Sequence, residues 1–310
     1  MSRGAVLLGA PSAIGIRPYD QGGARRLDLA PDALRIEGVA QRLGACDIGD
    51  VRPPDRYLDL ERPEGRSRNE VDVVDYSGEL AERIATLSGA DEFVLLIGGD
   101  CSILLGALLG LRHVRGEPLG LTYIDAHADF ATLAESPSHS ACSMNLALVT
   151  GRADGPLAHL AGEAPLVRGK QVVHIGRRDD HEPAYGWEAL VPSGVLDLSR
   201  ARIESEGIAR TAEAALDRVG RFTAGFWTAF DVDVLDPILM PAVDSPIPGG
   251  LDFDQAAELL SQLLRHPRAL GLQVTIYDPN LDPHRGAAAR LADLLVRAVG
   301  ASATDVEPTQ

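Results

Sequence analysis

Short apolar runs alternate with amphipathic segments along the whole chain, and this rhythm limits the folds open to it more than any other feature. The runs are AVLLGAP from Ala5, FVLLIGG from Phe93, LGLTYIDAHAD from Leu119, QVVHIGRR from Gln171, FTAGFWTAFDVDVLD from Phe222 and ALGLQVTIYDP from Ala269. Between them lie PDALRIEGVAQRLG (31–44), YSGELAERIATLSG (76–89), CSILLGALLGLRHV (101–114), IESEGIARTAEAALDRVG (203–220), FDQAAELLSQLLRH (253–266) and RGAAARLADLLVRAVG (285–300). Most of these repeat apolar residues at i, i+3 and i+4 and stop at glycine, which is the pattern of helices. Runs that are apolar throughout suit strands buried on both faces, and their alternation with helices implies parallel pairing. The expected fold is a three-layer α/β/α sandwich with a mainly parallel central sheet. No repeat of fixed period breaks the pattern, so residues 1–310 read as one domain.

Two segments fall outside the rhythm. Asp50–Asn69, rich in proline, arginine and acids, and Ala131–Cys142, ending in SPSHSAC, read as surface loops. The second follows an acid-rich strand end, so it is expected to overhang whatever that strand builds.

Charge and cysteine content exclude several partners. Acids outnumber Lys and Arg by 45 to 29, a net charge of −16, which disfavours nucleic acid and anionic membrane surfaces because both demand excess basic residues. Cys46, Cys101 and Cys142 are too few and too scattered for a disulfide framework. The opening MSRGAVLLGAPSAIG lacks a secretory pattern, and no window is apolar enough for a membrane span. A cytoplasmic location is expected.

The chemistry is concentrated where apolar runs end. In LLIGGDCSILLG the apolar run breaks at Gly98-Gly99-Asp100 and Cys101 stands where a helix begins, the carboxyl edge at which open α/β sheets keep their sites. In YIDAHADF, Asp125, His127 and Asp129 occupy i, i+2 and i+4, one face if the strand continues through them. In AFDVDVLDP, Asp231 and Asp233 share a face in the same way. Read singly, the first motif is a solvated strand terminus and the second a turn with an aspartate cap. Together they bring four carboxylates and one imidazole into a small volume, which divalent cations make tolerable. Oxygen donors with one imidazole favour Mn²⁺, although Zn²⁺, Co²⁺ or Ni²⁺ bind such a set.

These residues resemble the arginase, or ureohydrolase, family, which includes agmatinases and formiminoglutamases. The marks are GGDCS (98–102) for the family's GGDHS, DAHAD (125–129) for DAHxD, FDVDVLDP (230–237) for SxDxDxxDP, and PAVDSPIPGGL (241–251) for PxTGTPxPGGL. They run in order over nearly the whole chain. The resemblance implies an arginase-like fold and a two-manganese centre. Cys101, Asp125, Asp129 and Asp231 would surround the first ion, and Asp125, His127, Asp231 and Asp233 the second. It further implies that a hydroxide bridging the ions is the nucleophile, oriented by Asp129, and that C–N bonds of a small guanidino or amidine substrate are cleaved. The relatives include monomers and symmetric rings, so a homo-oligomer stays open.

Departures from the family pattern narrow the chemistry. Cys101 stands at the family's first histidine ligand; it is either a thiolate ligand, softer than imidazole, or a buried inert thiol. Cys142 stands at the histidine that gives a proton to the leaving amine, and His139, at a family glycine, is the one loop histidine able to substitute. A missing acid-base group predicts slow turnover or a leaving group that needs little protonation. Gln255 replaces the carboxylate that grips the guanidinium, and the positions that contact an amino acid's α-groups read Ala131, Ser138 and Ser140, of which Ser138 alone keeps the family residue, with Asp179 matching an acid of the family's IGLRDVD. Plain L-arginine is therefore disfavoured, and a hydroxylated or otherwise substituted guanidine is preferred, as in the branch that acts on Nω-hydroxy-L-arginine. The alternatives are a catalytically silent ureohydrolase-like protein that keeps its metals, and a cysteine hydrolase built on Cys101 or Cys142.

Overall fold

A computed structural model describes residues 4–303 other than Gln21, Glu117 and Phe222, with backbone alone at 301–303. Phe222, the first residue of one apolar run, and both tips of the expected 1–310 span lie outside the described residues. The strands are β1 (Ala5–Ala10), β2 (Cys46–Asp50), β3 (Phe93–Gly98), β4 (Leu119–Ile124), β5 (Val172–Ile175), β6 (Leu196–Leu198), β7 (Gly225–Asp231) and β8 (Ala269–Thr275). The helices are α1 (Ala30–Ile36), α2 (Val39–Leu43), α3 (Glu70–Gly89), α4 (Ile103–Arg115), α5 (Asn145–Thr150), α6 (Arg200–Glu206), α7 (Ile208–Val219), α8 (Phe253–Leu264) and α9 (Gly286–Ala303).

One eight-stranded sheet runs β2-β1-β3-β8-β7-β4-β5-β6, and every pairing in it is parallel. Alternate side chains of each strand enter different cores, as the two-residue period of a strand requires. Leu7, Leu95, Phe230 and Val274 join residues of α1, α2 and α6 to α9 on one face. Val6, Leu8, Leu96, Leu121 and Trp227 join α3, α4 and α5 on the other. This is the three-layer arrangement that the continuous apolar runs imply.

Two strands had no apolar signal. β2 (CDIGD) and β6 (LDL) form the sheet edges, pair on one side only, and so tolerate polar residues. Two expected helices are each divided by a glycine in a left-handed or extended positive-φ conformation: Gly38 (φ 74°) separates α1 from α2, and Gly207 (φ 83°) separates α6 from α7. No helix among the described residues is long and apolar enough to cross a membrane.

The first loop is exposed or half-buried over 50–66, as expected of a surface loop, but its end packs against the second. Ser67, Arg68 and Asn69 are buried, as are Ser136, His139, Ser140, Ala141 and Cys142. Arg68 ties the two together: its amide donates to the His139 carbonyl at 2.9 Å and its Nε to the Ser138 carbonyl at 2.7 Å. Polar backbone of this kind is buried only when such partners satisfy it.

Candidate metal centre

The carboxyl ends of β3, β4, β7 and β8, four neighbouring strands at the middle of the sheet, converge on one cavity. Its wall includes Cys101, Asp125, His127, Asp129, Ser138, Ser140, Cys142, Asp231 and Asp233. All nine had been singled out from the sequence.

Local geometry differs from the sequence expectation in one respect. β4 stops at Ile124, so DAHAD is a turn and not one face of a strand. Its side chains converge because the turn folds back on itself. The His127 amide donates to Asp125 Oδ1 at 2.7 Å, the Ala126 amide to Asp233 Oδ1 at 3.1 Å, and the Ala128 amide to Asp179 Oδ2 at 2.8 Å. Asp129 sits at φ 46°, a conformation that aspartate tolerates better than most residues, and its carbonyl accepts from the amides of Leu146 and Ala147. On the opposite strand, Asp231 ends β7 and its Oδ1 accepts the Asp233 amide at 3.0 Å, opening a short 3₁₀ turn that aims Asp233 back at His127.

Arg178 holds the two turns in register. Its guanidinium donates to the carbonyls of Asp233, Val234, Leu235 and Ile247, while its amide donates to Ala126. Burial pulls its pKa down, partly offset by the nearby carboxylates.

His127 Nδ1 lies 2.9 Å from Asp233 Oδ2 and 3.6 Å from Asp125 Oδ1. One donor atom from each of these three side chains falls within 4.8 Å of the others, a spacing at which one divalent ion can contact all three. Burial, and then the charge of Asp233, raises the Asp125 pKa. Burial and Asp125 do the same to Asp129, and burial with Asp233 and Asp125 to Asp231. Burial opposes protonation of His127, but Asp233 and Asp125 outweigh it and the imidazole is held well above its ordinary value. Such mutual repulsion is the signature of a set of donors suited to cations. The residues present therefore fit a divalent metal.

Neighbours fix these donors. The ring of Tyr185 packs on His127 with centroids 4.5 Å apart, and the Tyr123 hydroxyl donates to Asp129 Oδ2 at 2.6 Å. His127 Nε2 and the Ser140 hydroxyl are buried with no hydrogen-bond partner among the described residues.

Cys101 precedes α4 in the turn 99–102, and Cys142 opens a 3₁₀ turn 41 positions later. Both are free and buried and line the same cavity, and Cys142 Sγ lies 3.6 Å from Asp100 Oδ1. Burial pushes the Cys101 thiol well up and the Cys142 thiol up to about 12. The Asp100 carboxylate beside Cys142 is itself engaged by Ser12, Gly15 and Ser102, and among the described residues no hydrogen bond joins either thiol to a histidine, so the cysteine-hydrolase reading lacks its base.

Three residues singled out from the sequence stand elsewhere. His139 uses both ring nitrogens away from the cavity: Nδ1 is 2.8 Å from the Pro63 carbonyl and Nε2 2.6 Å from Arg62 Nη2. Asp179 is buried against Arg177 and the Ala128 amide, so it shapes the DAHAD turn and does not face the cavity. Gln255 closes a capping box with Asp252 at the start of α8 and is absent from the cavity wall.

Conversely, Arg17, Tyr185, Asp244, Ser245 and Ile276 line the cavity without having been singled out. Two carried a signal: PAVDSPIPGGL places Asp244 at a glycine and Ser245 at a threonine of the family pattern. Ile276 has φ 70° and Ser245 φ 50°; a β-branched residue in that region is a marked outlier, of the kind that gathers at functional sites.

The match to known proteins follows the same span. A model of the arginase family matches residues 4–300. The chain belongs to the arginase family. Its members are hydrolases acting on carbon–nitrogen bonds of linear amidines. The arginase of Brevibacillus brevis is 31% identical over 293 residues, covering 93% of this chain and 96% of that one. The arginase of Bacillus caldovelox is 30% identical over 286 residues, covering 89% and 93%. The crystal structure of the B. caldovelox arginase superposes with a TM-score of 0.85 over 97% of this chain and 99% of that one, at 27% identity.

Proposed function

We propose that this chain, one cytoplasmic domain over 1–310, hydrolyses a C–N bond of a small guanidino or amidine compound with the help of two divalent ions. The observation that carries the reading is the convergence of Asp125, His127 and Asp233 beside Asp129 and Asp231 in a cavity of an arginase-family chain. Asp125, His127, Asp231 and Asp233 would hold one ion and Cys101, Asp125, Asp129 and Asp231 the other. Mn²⁺ suits the oxygen-rich set. Bound there, the ions would supply Lewis acidity and water acidified towards neutrality.

The chain's own residues do the rest. Asp129, fixed by Tyr123, offers its second oxygen to a proton at the reacting centre, and Ser138 and Ser140 offer hydroxyls to the substrate's polar end. The Ser140 hydroxyl has no competing protein partner. Asp244 supplies a carboxylate on the wall, held from behind by an ion pair with the buried Arg25. It takes the place of the family carboxylate missing at Gln255. With the Cys142 thiol at about 12, no side chain at the family's acid-base position exchanges protons at neutral pH. That supports a substituted guanidine whose leaving group needs little protonation. A second reading, L-arginine itself, is favoured by the two relatives named arginase.

The test is urea or hydroxyurea release over a panel of L-arginine, agmatine, Nω-hydroxy-L-arginine and N-substituted guanidines, with metal content measured in the same samples. Turnover of a substituted guanidine at least 10-fold above arginine is expected. The absence of turnover on every member at full occupancy would count against a hydrolase and for a silent relative. Asp244→Asn should then raise KM about 10-fold or more with a smaller change in kcat, since a charged hydrogen bond contributes about 1.5–3 kcal/mol. Unchanged KM would remove Asp244 from substrate binding.

A further inference from the structure

The cavity is too small to hold a whole substrate. It encloses about 60 Å³, well below the roughly 300 Å³ at which ordinary ligand pockets begin, so the reacting end alone fits beside the carboxylates. A vestibule of about 420 Å³ adjoins it and shares Arg17, Ser138, Ser143 and Tyr185 with its wall. The rest of a substrate would lie there.

The charge of the wall reverses between the two. The inner wall carries five aspartates to one arginine, the shared Arg17. The vestibule carries Arg17 and Arg68 to one carboxylate, the exposed Glu182, in a chain whose net charge is −16. Arg68 is 6% exposed, and its guanidinium donates to three neutral carbonyls: Ser138 at 2.7 Å, Asp59 at 2.5 Å and Glu61 at 2.7 Å. Among the described residues no carboxylate pairs with it. The Asp59 carboxylate of the same loop is taken by Arg66 and by the Asn69 amide. Arginine is almost never so deeply buried without a charged partner, because neutral acceptors replace its hydration incompletely. Arg17 does have a partner, Asp20, but that acid is 79% exposed, and a surface pair contributes little and yields readily to a ligand.

We propose that Arg68 and Arg17 form an anion site at the mouth of the cavity, and that the substrate is a guanidino or amidino carboxylic acid whose carboxylate docks there with no ammonium beside it. This rests on the guanidine-hydrolase reading and supplies its substrate class. The guanidine end then lies at the aspartates and the acid end at the two arginines, whose planar donors suit a carboxylate. An α-amino head finds no buried acceptor: Glu182 is exposed, and Asp179 is spent on Arg177 and the Ala128 amide.

Calorimetric binding to the Mn²⁺-loaded full chain tests this with three compounds of equal chain length: a guanidino acid, its primary amide and its α-amino derivative. The acid is expected to bind at least about 10-fold tighter than the amide, the effect of a charged hydrogen bond, and tighter than the amino acid. Arg17→Gln should lower the acid-to-amide ratio about 10-fold. Arg221→Gln, which removes the same charge before the amino end of β7, should leave it unchanged. A crystal structure of the acid complex examines Arg68 without a variant, since Arg68 also holds the loop, and its carboxylate is expected within hydrogen-bond distance of both guanidiniums. Equal binding of acid and amide, tighter binding of the amino acid, or a carboxylate seated away from Arg68 overturns the proposal. So does an acid preference that survives in Arg17→Gln and vanishes on chelation, which would seat the carboxylate on the ions. The expected ratios without urea release would sink the hydrolase reading and leave the anion site standing. Urea release from acid and amide alike would do the reverse, and binding of none of the three overturns both.

Discussion

Asp231→Asn is expected to stabilise the metal-free protein and to abolish turnover of the metal-supplemented one. Asp231 is buried, ends β7, and faces Asp233 and Asp125, which with burial raise its pKa. Without cations its charge is opposed by its neighbours, and an isosteric amide keeps the acceptor for the Asp233 amide. The thermal midpoint of chelator-treated protein should therefore rise by a few degrees. On the proposed two-ion reading the same charge would be a ligand shared by both ions. Even outer-shell partners of metal ligands contribute 10–100-fold, so turnover should fall by more than about 100-fold, and the midpoint gained on adding Mn²⁺ should shrink. A metal-free midpoint that drops would show that Asp231 acts through structure alone.

The same cluster sets a pH dependence. Asp125, Asp129 and Asp231 have folded pKa values above those of the unfolded chain, so their contribution to stability is full at low pH and is lost as pH rises through the folded values. His127, also raised, has the same sign. Glu135, held down to about 2 by Arg152, and Asp47, Asp59 and Asp236, also lowered, act oppositely, but only below the ordinary carboxylate range. Between about pH 8 and 5 these four stay ionised, and half-buried His266, lowered by burial and Arg268 and so opposite in sign inside the window, is outnumbered by the four raised groups. The metal-free protein should thus become more stable on acidification across that window, and the metal-loaded protein less so as protons displace cations.

Gly99→Ala is expected to be the most damaging small substitution at the site. A β-carbon there would lie 1.8 Å from the Ser12 carbonyl oxygen and 3.0 Å from the Ser12 nitrogen. Neither side can yield. The Ser12 carbonyl accepts the Asp100 amide at 2.8 Å, the Gly99 amide donates to Ala10 at 3.1 Å, and the Gly99 carbonyl accepts the Ile276 amide at 2.8 Å. One residue thus joins the ends of β1, β3 and β8 and carries the turn that presents Cys101. Overpacking typically costs 1–3 kcal/mol where side chains can shift. Against backbone, about 3 kcal/mol and a midpoint lower by roughly 6–12 °C are expected. Gly78→Ala is the control, since in α3 no atom lies within 4 Å of the added carbon and alanine is the better helix former. Equal midpoints for the two variants would refute the account.

Much of the molecule was legible because its signals are local. Continuous apolar runs mark strands buried on both faces, and GGDCS, DAHAD and FDVDVLDP sit at their ends. The residue types there state their own chemistry, and six of them meet in one cavity with Ser138, Ser140 and Cys142 of the SPSHSAC loop. The capping box of Asp252 and Gln255 is likewise a short-range pattern, yet it was read as a substrate contact because the family resemblance outweighed the local signal.

What failed depended on partners distant in sequence. His139 is turned from the cavity by Arg62 and Pro63, Asp179 is drawn to the Ala128 amide 51 positions away, and β2 and β6 are strands only because a neighbour pairs with them. Asp244 faces the cavity with the buried Arg25 behind it, and nothing within several residues of either announces the pair. By itself the sequence determined the layers, the strand ends and the chemical identity of the donors, since period and residue type are properties of neighbours along the chain. The tertiary structure alone decided which side chains face the cavity and that Cys101 and Cys142 line it together. The direction of a side chain on a turn is set by hydrogen bonds and ion pairs that form only when remote segments pack together.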